Sequence, residues 1–394
     1  MFHLTKPQKT IYDMEKYAGG SISNICGSIL FRGKKSEEQL ADAISTLYRL
    51  NDALRIRVGE EQGEPYQYVA EGPMEIPMLY FEDKAALDRH GELYSKQPMD
   101  LHGSLCEAQG VIMENSYGVL IKMHHLVSDA WTLALCGTQL SKILNGETPT
   151  AYSYIDYLQT EEKYLAGKRY AKDSTFFEEQ FKKCDEVTYL SDVQSADFQV
   201  QRKTIVVDKE KTFDIVKFAQ ENNTSVFVVF MTVLGIYISR IKSNTEKFYV
   251  GTAILNRTNR QEQNTMGMFI NTVPLLMELD NQKSFLENLQ TVADSCISLL
   301  RHQKYNYSDV LQMLRSKYQF QEKLYDVLLS YQNAKINSEF ESFESEWYHC
   351  GMQAESLQIH IDDRDGEGVL KIHYDYQVKK FTEEEILKMH EHLL

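Results

Sequence analysis

Hydrophobic positions in the first part of the chain repeat first at helical and then at strand-like spacing. Ser36 and Gln39 have the spacing of a capping box, and Leu40, Ile44 and Leu47 follow at intervals of three and four residues. This pattern predicts a helix. The segments ALRIRV and YQYVA come next, and both are strand-like. The chain therefore mixes helices and strands from its beginning.

The same mixture continues through the second half of the chain. Capping residues, apolar runs and turn signals predict each element there. The predicted elements are, in order, a helix capped by Thr224, the strand KFYVGTAIL, a helix from Ser284 to about His302, the strand YDVLLSYQN, a hairpin in LQIHIDDRDGEGVLKIHYDY that turns at RDGEG, and a helix that starts at Thr382 with Glu385 completing a capping box.

The chain has 394 residues, which is long enough for two domains or for one bilobed unit. Proline and glycine are sparse, and the polar segment 161–197 is the best place for a boundary. We therefore predict a mixed α/β (α+β) protein with an N-terminal lobe, residues 1–175, and a C-terminal lobe, residues 176–394.

Composition and charge argue against several classes of function. The formal net charge is -15 and no stretch concentrates Lys and Arg, which argues against binding to nucleic acid or to an anionic membrane. The six cysteines show no C-x-x-C spacing, so neither a zinc site nor a disulfide framework is predicted. The N-terminus lacks the apolar run of a signal peptide, and VFVVFMTVLGIYI is too short to span a membrane. We expect a cytoplasmic protein.

Candidate chemistry is concentrated in the segment GVLIKMHHLVSDAWTLALC. A strand precedes the two adjacent histidines, and the apolar spacing after them predicts a helix with Ser128 as its N-cap and Asp129 in its first turn. In an extended backbone, neighbouring side chains point to opposite faces. Only one of His124 and His125 can therefore face a given cavity.

Several interpretations of the histidine pair stay open at this point. The apolar flanks favour burial over a solvated surface pair, and adjacent strand residues do not converge easily on a metal ion. A catalytic histidine and a structural pair are about equally supported. The G-x-S-x-G and G-x-G-x-x-G motifs are both absent. A histidine base without a visible nucleophile points to direct acyl transfer, in which a bound amine or hydroxyl attacks a thioester.

The segment MHHLVSDAWT resembles the HHxxxDG signature of condensation domains from nonribosomal peptide synthetases. Other segments resemble further motifs of that family, and they occur in the family's order. These segments are LTKPQKTIYDMEKY, RLNDALRIRV, YSYIDYLQTEEKYL, VGTAILNRTNRQEQNTMGMFINTVPL, RHQKYNYSDVL and YDVLLSYQN.

The resemblance implies two lobes that are each like chloramphenicol acetyltransferase, arranged in a V with a central tunnel. It implies a catalytic motif of His125, His124 and Asp129, in which His125 faces the reaction centre as general base or as a hydrogen-bond partner of the attacking amine. His124 and Asp129 would support it structurally, and Asp129 would pair with Arg257 to tie the lobes together. Ala130 stands where the family has glycine and brings a methyl group near the acceptor.

The resemblance also supplies candidates for substrate contact and for partners. The candidate tunnel-lining residues are Trp131, Asn271, Tyr12, Ser330 and Gln332. The domain itself would bind no metal or other cofactor. Acyl- and aminoacyl-loaded carrier (thiolation) domains would bring phosphopantetheine arms to it, and an adenylation domain would adjoin it.

Single sequence positions distinguish this chain from related domains of the same fold that have other activities. Heterocyclisation domains carry an aspartate where this chain has His124, and epimerisation domains carry an acidic segment where it has VGTAILNR. The start at Met1 suits a starter domain that takes an acyl donor, although an excised internal domain would look identical. A stand-alone acyl-CoA-dependent acyltransferase and a non-catalytic domain that recruits a partner are the remaining alternatives.

Overall fold

A computed structural model describes residues 1–364 and 368–394, and it has the predicted mixed α/β architecture. The helices are α1 (Lys6–Ala18), α2 (Glu37–Leu50), α3 (Lys84–Ser95), α4 (Ala130–Leu144), α5 (Tyr154–Leu165), α6 (Lys168–Lys183), α7 (Lys209–Glu221), α8 (Val226–Ile241), α9 (Arg260–Gln263), α10 (Phe285–Leu300), α11 (Tyr307–Tyr318) and α12 (Glu383–Leu393). A 3-10 helix, Asp52–Arg55, follows α2.

The strands are short, and most lie between helices in the chain. They are β1 (Phe2–His3), β2 (Asn24–Arg32), β3 (Ile56–Glu61), β4 (Glu64–Val69), β5 (Met78–Tyr80), β6 (Cys106–Ile112), β7 (Ser116–His124), β8 (Val200–Val206), β9 (Lys247–Ile254), β10 (Asn271–Glu278), β11 (Val327–Gln332), β12 (Phe343–Tyr348), β13 (Leu357–Asp362) and β14 (Lys371–Gln377).

Two of the predicted helix caps are confirmed by their hydrogen bonds. Ser36 and Thr382 begin α2 and α12, and each forms a capping box with the Gln or Glu three residues later. The predicted cap Thr224 is wrong, because its amide closes the preceding turn on the carbonyl of Ala219. Ser225 is the extended residue, and its hydroxyl accepts from the amide of Val228 instead.

The chain divides into two compact units, and the first contains residues 1–165, 257–269 and 334–352. Its five-stranded sheet has the order β12-β2-β7-β6-β5, and a three-stranded sheet has the order β1-β4-β3. Strand β7 has a neighbour on each side and is buried on both faces. That position explains why its sequence is a nearly continuous apolar run.

The second unit contains residues 166–256, 270–333 and 353–394. Its six-stranded sheet has the order β10-β9-β11-β13-β14-β8, with β11 parallel to both β9 and β13. The predicted hairpin is confirmed by the antiparallel pairing of β13 with β14, although residues 365–367 of its RDGEG turn lie outside the described residues. Helix α8 carries the apolar run from Val226 and is largely buried, as predicted.

The predicted lobes, 1–175 and 176–394, differ from these units in two ways. The first long segment of unit one ends at Leu165, before α6, and two later segments return to that unit. One of them supplies β12, which pairs antiparallel with β2. A boundary drawn along the sequence cannot show a returning strand, because its partner is more than 300 residues away.

Within the described residues, no single helix has both the length and the apolar composition needed to cross a membrane. The bent pair of α7 and α8 meets those criteria only when both helices are taken together, across a bend of 99°. All six cysteines are buried free thiols.

Candidate functional site

The histidine pair lies where β7 ends and α4 begins, as the sequence predicts. His124 is the last residue of β7, and its amide donates to the carbonyl of Leu105 on one neighbouring segment. The amide of His125 donates to the carbonyl of Ser23 on the other, at 2.7 Å. Backbone bonds on both sides therefore hold the entry to the turn.

Residues 125–129 form a tight turn that is held by hydrogen bonds within it and from α1. The amide of Val127 and the hydroxyl of Ser128 both donate to the carbonyl of His124, at 3.0 and 3.1 Å. Leu126 and Val127 are fully buried in the core of the first unit. The side-chain amide of Gln8, in α1, donates to the carbonyl of Leu126 at 2.7 Å. Hydrophobic anchoring and these bonds together fix the turn.

The predicted N-cap Ser128 is a second correction, because its hydroxyl is engaged with the carbonyl of His124. Asp129 caps α4 instead. Its carboxylate accepts from the backbone amide and the hydroxyl of Thr132, at 2.8 and 2.9 Å. A carboxylate at this position also interacts favourably with the positive end of the helix dipole.

The two histidines have different environments. His124 is 1% exposed, and its Nδ1 accepts from the amide of Leu126 at 3.1 Å. His125 is only partly buried as a residue, but its Nδ1 is buried and has no hydrogen-bond partner among the described residues. Nε2 of His124 is buried and unpaired as well, so the two rings differ in exposure, and only His125 keeps appreciable accessible surface.

Burial also sets the charge of His125. Loss of hydration lowers the pKa of the His125 imidazole below its ordinary value of 6.5, while the nearby negative charge of Asp129 opposes this shift in part. The ring is consequently neutral at pH 7. A neutral imidazole has one ring nitrogen with a lone pair, which can accept a proton or a hydrogen bond from a bound group.

Asp129 has no capacity left for substrate. Besides its two bonds to Thr132, its carboxylate accepts from the amide of Phe269 at 3.2 Å. Nη2 of Arg257 lies 3.0 and 2.9 Å from its two oxygens. Both side chains are 0% exposed. Asp129 is thus a buried and fully paired carboxylate.

Arg257 holds the segment 257–269 together through hydrogen bonds to its backbone. Its guanidinium donates to the backbone carbonyls of Glu262 and Thr265 through Nη1 and to that of Gly267 through Nη2. It also stacks over the ring of Phe269, 3.9 Å from the centroid. Arg257 and Asp129 both belong to the first unit, so the expectation that their pair ties two lobes together is wrong.

Residues from three of the motifs that resemble the condensation-domain family lie around the pair of Asp129 and Arg257. The ring of Phe269 contacts those of Tyr154 and Tyr157, with centroids 5.5 and 4.2 Å apart. Gly267 has φ +144°, and a Cβ there would lie 2.1 Å from the Tyr154 ring. Only glycine fits this position. The motifs that contain these residues are far apart in sequence because each supplies one wall of a single buried cluster.

Ala130 and Trp131 begin α4 beside the turn, and both are partly buried. The indole Nε1 of Trp131 donates to the carbonyl of Gln263 at 2.8 Å. Trp131 therefore contacts the returning segment 257–269. The methyl group of Ala130 lies in the first turn of α4, directly after the capping carboxylate.

Tyr12 does not lie on an open surface, although it is a candidate lining residue. It is 1% exposed in the core, and its hydroxyl donates to Glu60 at 2.8 Å. A side chain buried to this extent offers no area to a substrate, so the structure gives Tyr12 a packing role.

The other three candidates lie in the second unit. Asn271 donates from its side-chain amide to the carbonyls of Gln303 and Tyr305. The hydroxyl of Ser330 is 2.6 Å from Nδ1 of His360 and accepts from the side-chain amide of Gln332 at 3.1 Å. The structure thus groups Ser330 with Gln332 and places Asn271 at the start of β10. Their predicted contact with substrate stays a prediction.

Two polar residues of α1 at this turn were missed from the sequence, namely Gln8 and Glu15. Both are buried, and Oε2 of Glu15 lies 3.6 Å from Nε2 of His124. Their separation of seven residues, which places two polar side chains on one helix face, was the available signal. The other acids and bases of this helix are exposed or only partly buried, and they made this signal easy to overlook.

Among the described residues, no group of three or more His, Cys, Asp and Glu side chains is arranged to hold a metal ion. Nδ1 of His124 is engaged with the amide of Leu126, and the carboxylate of Asp129 is engaged with Thr132 and Arg257.

Comparison with known proteins identifies the class. A family model described as "Condensation domain" matches residues 1–394. The chain is 31% identical over 412 residues to surfactin synthase subunit 1 of Bacillus subtilis (strain 168), a match that covers 98% of this chain. It is 23% identical over 410 residues to tyrocidine synthase 3 of Brevibacillus parabrevis, covering 100% of this chain. The chain spans 11% and 6% of the lengths of these two relatives.

Solved structures show the same fold. A mutant of the starter condensation domain of rhizomide synthetase RzmA, in complex with C8-CoA, superposes with a TM-score of 0.86 at 18% identity, over 100% of this chain and 93% of that one. The first condensation domain of the CDA synthetase also superposes with a TM-score of 0.86. Its sequence identity is 16%, and the match covers 100% of this chain and 94% of that one.

The chain therefore belongs to the condensation domain family. This confirms the resemblance inferred from the motifs and the predicted fold class. The predicted enzyme class is confirmed with it, because the condensation domains of nonribosomal peptide synthetases are acyltransferases that form amide bonds.

Replacing Asp129 with alanine should destabilise the first unit strongly. The change leaves the buried guanidinium of Arg257 without its counter-charge, at a cost of roughly 3–5 kcal/mol. The free energy of unfolding in urea should fall by that amount. The fall should be larger than for His125→Ala, which strands no charge.

Asp13→Ala is the matched control for this prediction. Asp13 is an exposed acid that pairs at the surface with Lys9, at 3.2 Å, so its removal should change stability by less than about 1 kcal/mol. A free energy of unfolding for Asp129→Ala equal to that of Asp13→Ala would show that the buried pair contributes nothing.

Proposed function

We propose that this domain joins a thioester-bound acyl or peptidyl donor to the amine of an aminoacyl-carrier acceptor, with His125 as the group that engages the attacking amine. The observation that supports this most directly is the contrast within the motif. The imidazole of His125 is neutral and only partly buried, whereas His124 and Asp129 are 1% and 0% exposed.

The chemistry needs a proton to pass from the attacking amine, through the imidazole, to the departing thiolate, and it needs no enzyme nucleophile. The acceptor amine attacks the thioester carbonyl, the C–N bond forms, and the C–S bond breaks to release the donor thiol. The amine loses a proton during this step. A neutral imidazole can accept a hydrogen bond from the amine and take up that proton, because it has a free lone pair at pH 7. His125 has this form, and burial maintains it.

Asp129 and Arg257 act as supports for His125 in this proposal. Asp129 caps α4 four residues after His125 and is tied to the segment 257–269. Any movement of the cap would move the end of the turn. Precise placement matters because misplacing a catalytic group by about 1 Å can reduce a rate about 100-fold.

The partners follow from the family. The two relatives are named as synthases, and this chain matches only a small part of each. We propose that acyl- and aminoacyl-loaded carrier domains present the two substrates on phosphopantetheine arms, with an adenylation domain adjoining. The domain would supply no cofactor of its own. A cytoplasmic location remains part of the proposal.

His125→Ala should reduce amide formation by about 100- to 10,000-fold, the usual contribution of a positioned acid or base. The measurement is single-turnover condensation between two loaded carriers, with product quantified by mass. The melting temperature should stay close to that of the wild type, because no charge is stranded.

His102→Ala is the matched control, since His102 is an exposed histidine of the same unit. It should leave the rate unchanged. A rate for His125→Ala within a few-fold of the wild type would rule out His125 as the group that engages the amine.

The form of the acceptor separates this function from that of a stand-alone acyltransferase. A carrier-dependent enzyme uses contacts with the carrier and its arm as binding energy remote from the reacting bond, so a truncated acceptor should lose turnover as well as affinity. In a competition at equal concentration, the aminoacyl-carrier should react far better than the free amino acid or its short pantetheine thioester. Equal product from the free amine would favour the stand-alone enzyme.

A further inference from the structure

The carboxylate of Glu15 is buried beside the histidine pair without a hydrogen bond to its Oε2. Glu15 is 7% exposed, and neither its Oε2 nor Nε2 of His124 has a hydrogen-bond partner among the described residues. The two atoms are 3.6 Å apart and face each other. Since buried polar atoms are nearly always paired, two unpaired atoms this close call for an explanation.

The other side of the His124 ring fixes where its proton lies. Nδ1 accepts from the backbone amide of Leu126, so Nδ1 carries the lone pair. In the neutral ring the proton is then on Nε2, and it points towards Glu15. A short approach of about half an ångström would make this a hydrogen bond of ordinary length.

Helix α1 presents this carboxylate together with a second contact to the same turn. The buried residues of α1 are Gln8, Tyr12 and Glu15, which lie on one face of the helix. Gln8 holds the carbonyl of Leu126, while Glu15 faces His124. Two of the three inward side chains of α1 therefore contact the residues on either side of His125.

We propose that Glu15 is a positioning residue that acts on His125 through His124. The carboxylate restrains Nε2–H of His124, which keeps Nδ1 aimed at the amide of Leu126. That amide follows His125 directly, so rotation of the His124 ring would release the backbone that carries His125. The role in catalysis rests on the proposed function, whereas the ring orientation does not.

The test compares Glu15→Ala with Glu15→Gln. The glutamine keeps an oxygen that can accept from Nε2–H, so its kcat should stay within about threefold of the wild type. The alanine removes the acceptor, and its kcat should fall about tenfold with the KM of the acceptor unchanged. Asp13→Ala, an exposed acid on the same helix, is the control and should have wild-type kcat.

A second measurement does not depend on activity. Nitrogen NMR of histidine-labelled protein should show the proton of His124 on Nε2 in the wild type and in Glu15→Gln, and should show a second, mobile ring state in Glu15→Ala. His124→Asn assigns the signals. Melting temperatures of all variants establish that the fold is intact.

Three results would overturn the proposal. One is a proton on Nδ1 of His124 in the wild type. Another is an equal kcat for Glu15→Ala and the wild type. The third is a raised acceptor KM at unchanged kcat in Glu15→Gln, which would mean that the carboxylate binds the acceptor directly. If the wild type forms no amide from loaded carriers, the proposed function fails, and the NMR result still decides the role of Glu15 in orienting His124.

Discussion

The buried pair of Asp129 and Arg257 is the interaction on which the rest of the site depends. Two charges without solvent exposure are costly unless each is paired and hydrogen-bonded. Here the carboxylate also receives donors from Thr132 and Phe269, and the guanidinium meets three backbone carbonyls. These bonds join the start of α4 to the segment 257–269, and they fix the helix end from which the turn carrying His125 departs.

The three polar residues of the histidine motif, His124, His125 and Asp129, therefore have different roles. The carboxylate of Asp129 is fully paired within the structure, the ring of His124 is buried with its Nδ1 bonded to the amide of Leu126, and His125 keeps accessible surface. A motif of three polar residues thus presents one reactive group. The others are needed because a buried turn must satisfy its own polar atoms before it can position anything else.

Local structure could be predicted from the sequence because its causes are local. Capping boxes at Ser36 and Thr382, the apolar run of β7 and the β13–β14 hairpin all follow from residues within one segment. The placement of the histidine pair at a strand-to-helix turn followed in the same way. The choice of Asp129 over Ser128 as cap was not predicted, because both residue types are good helix caps and the hydroxyl of Ser128 bonds to the carbonyl of His124 instead. The return of β12 and the role of Glu15 depend on contacts between distant segments, which no local pattern encodes.

The most direct test of this account is a double-mutant cycle on the Asp129–Arg257 pair, measured as the free energy of unfolding of the wild type, Asp129→Ala, Arg257→Ala and the double variant. If each charge is stranded by the loss of the other, the double variant should lose less stability than the sum of the single variants, by about 2 kcal/mol or more. Losses that add to within about 0.5 kcal/mol would show that the two side chains act independently, and that the site is held together by something other than their pairing.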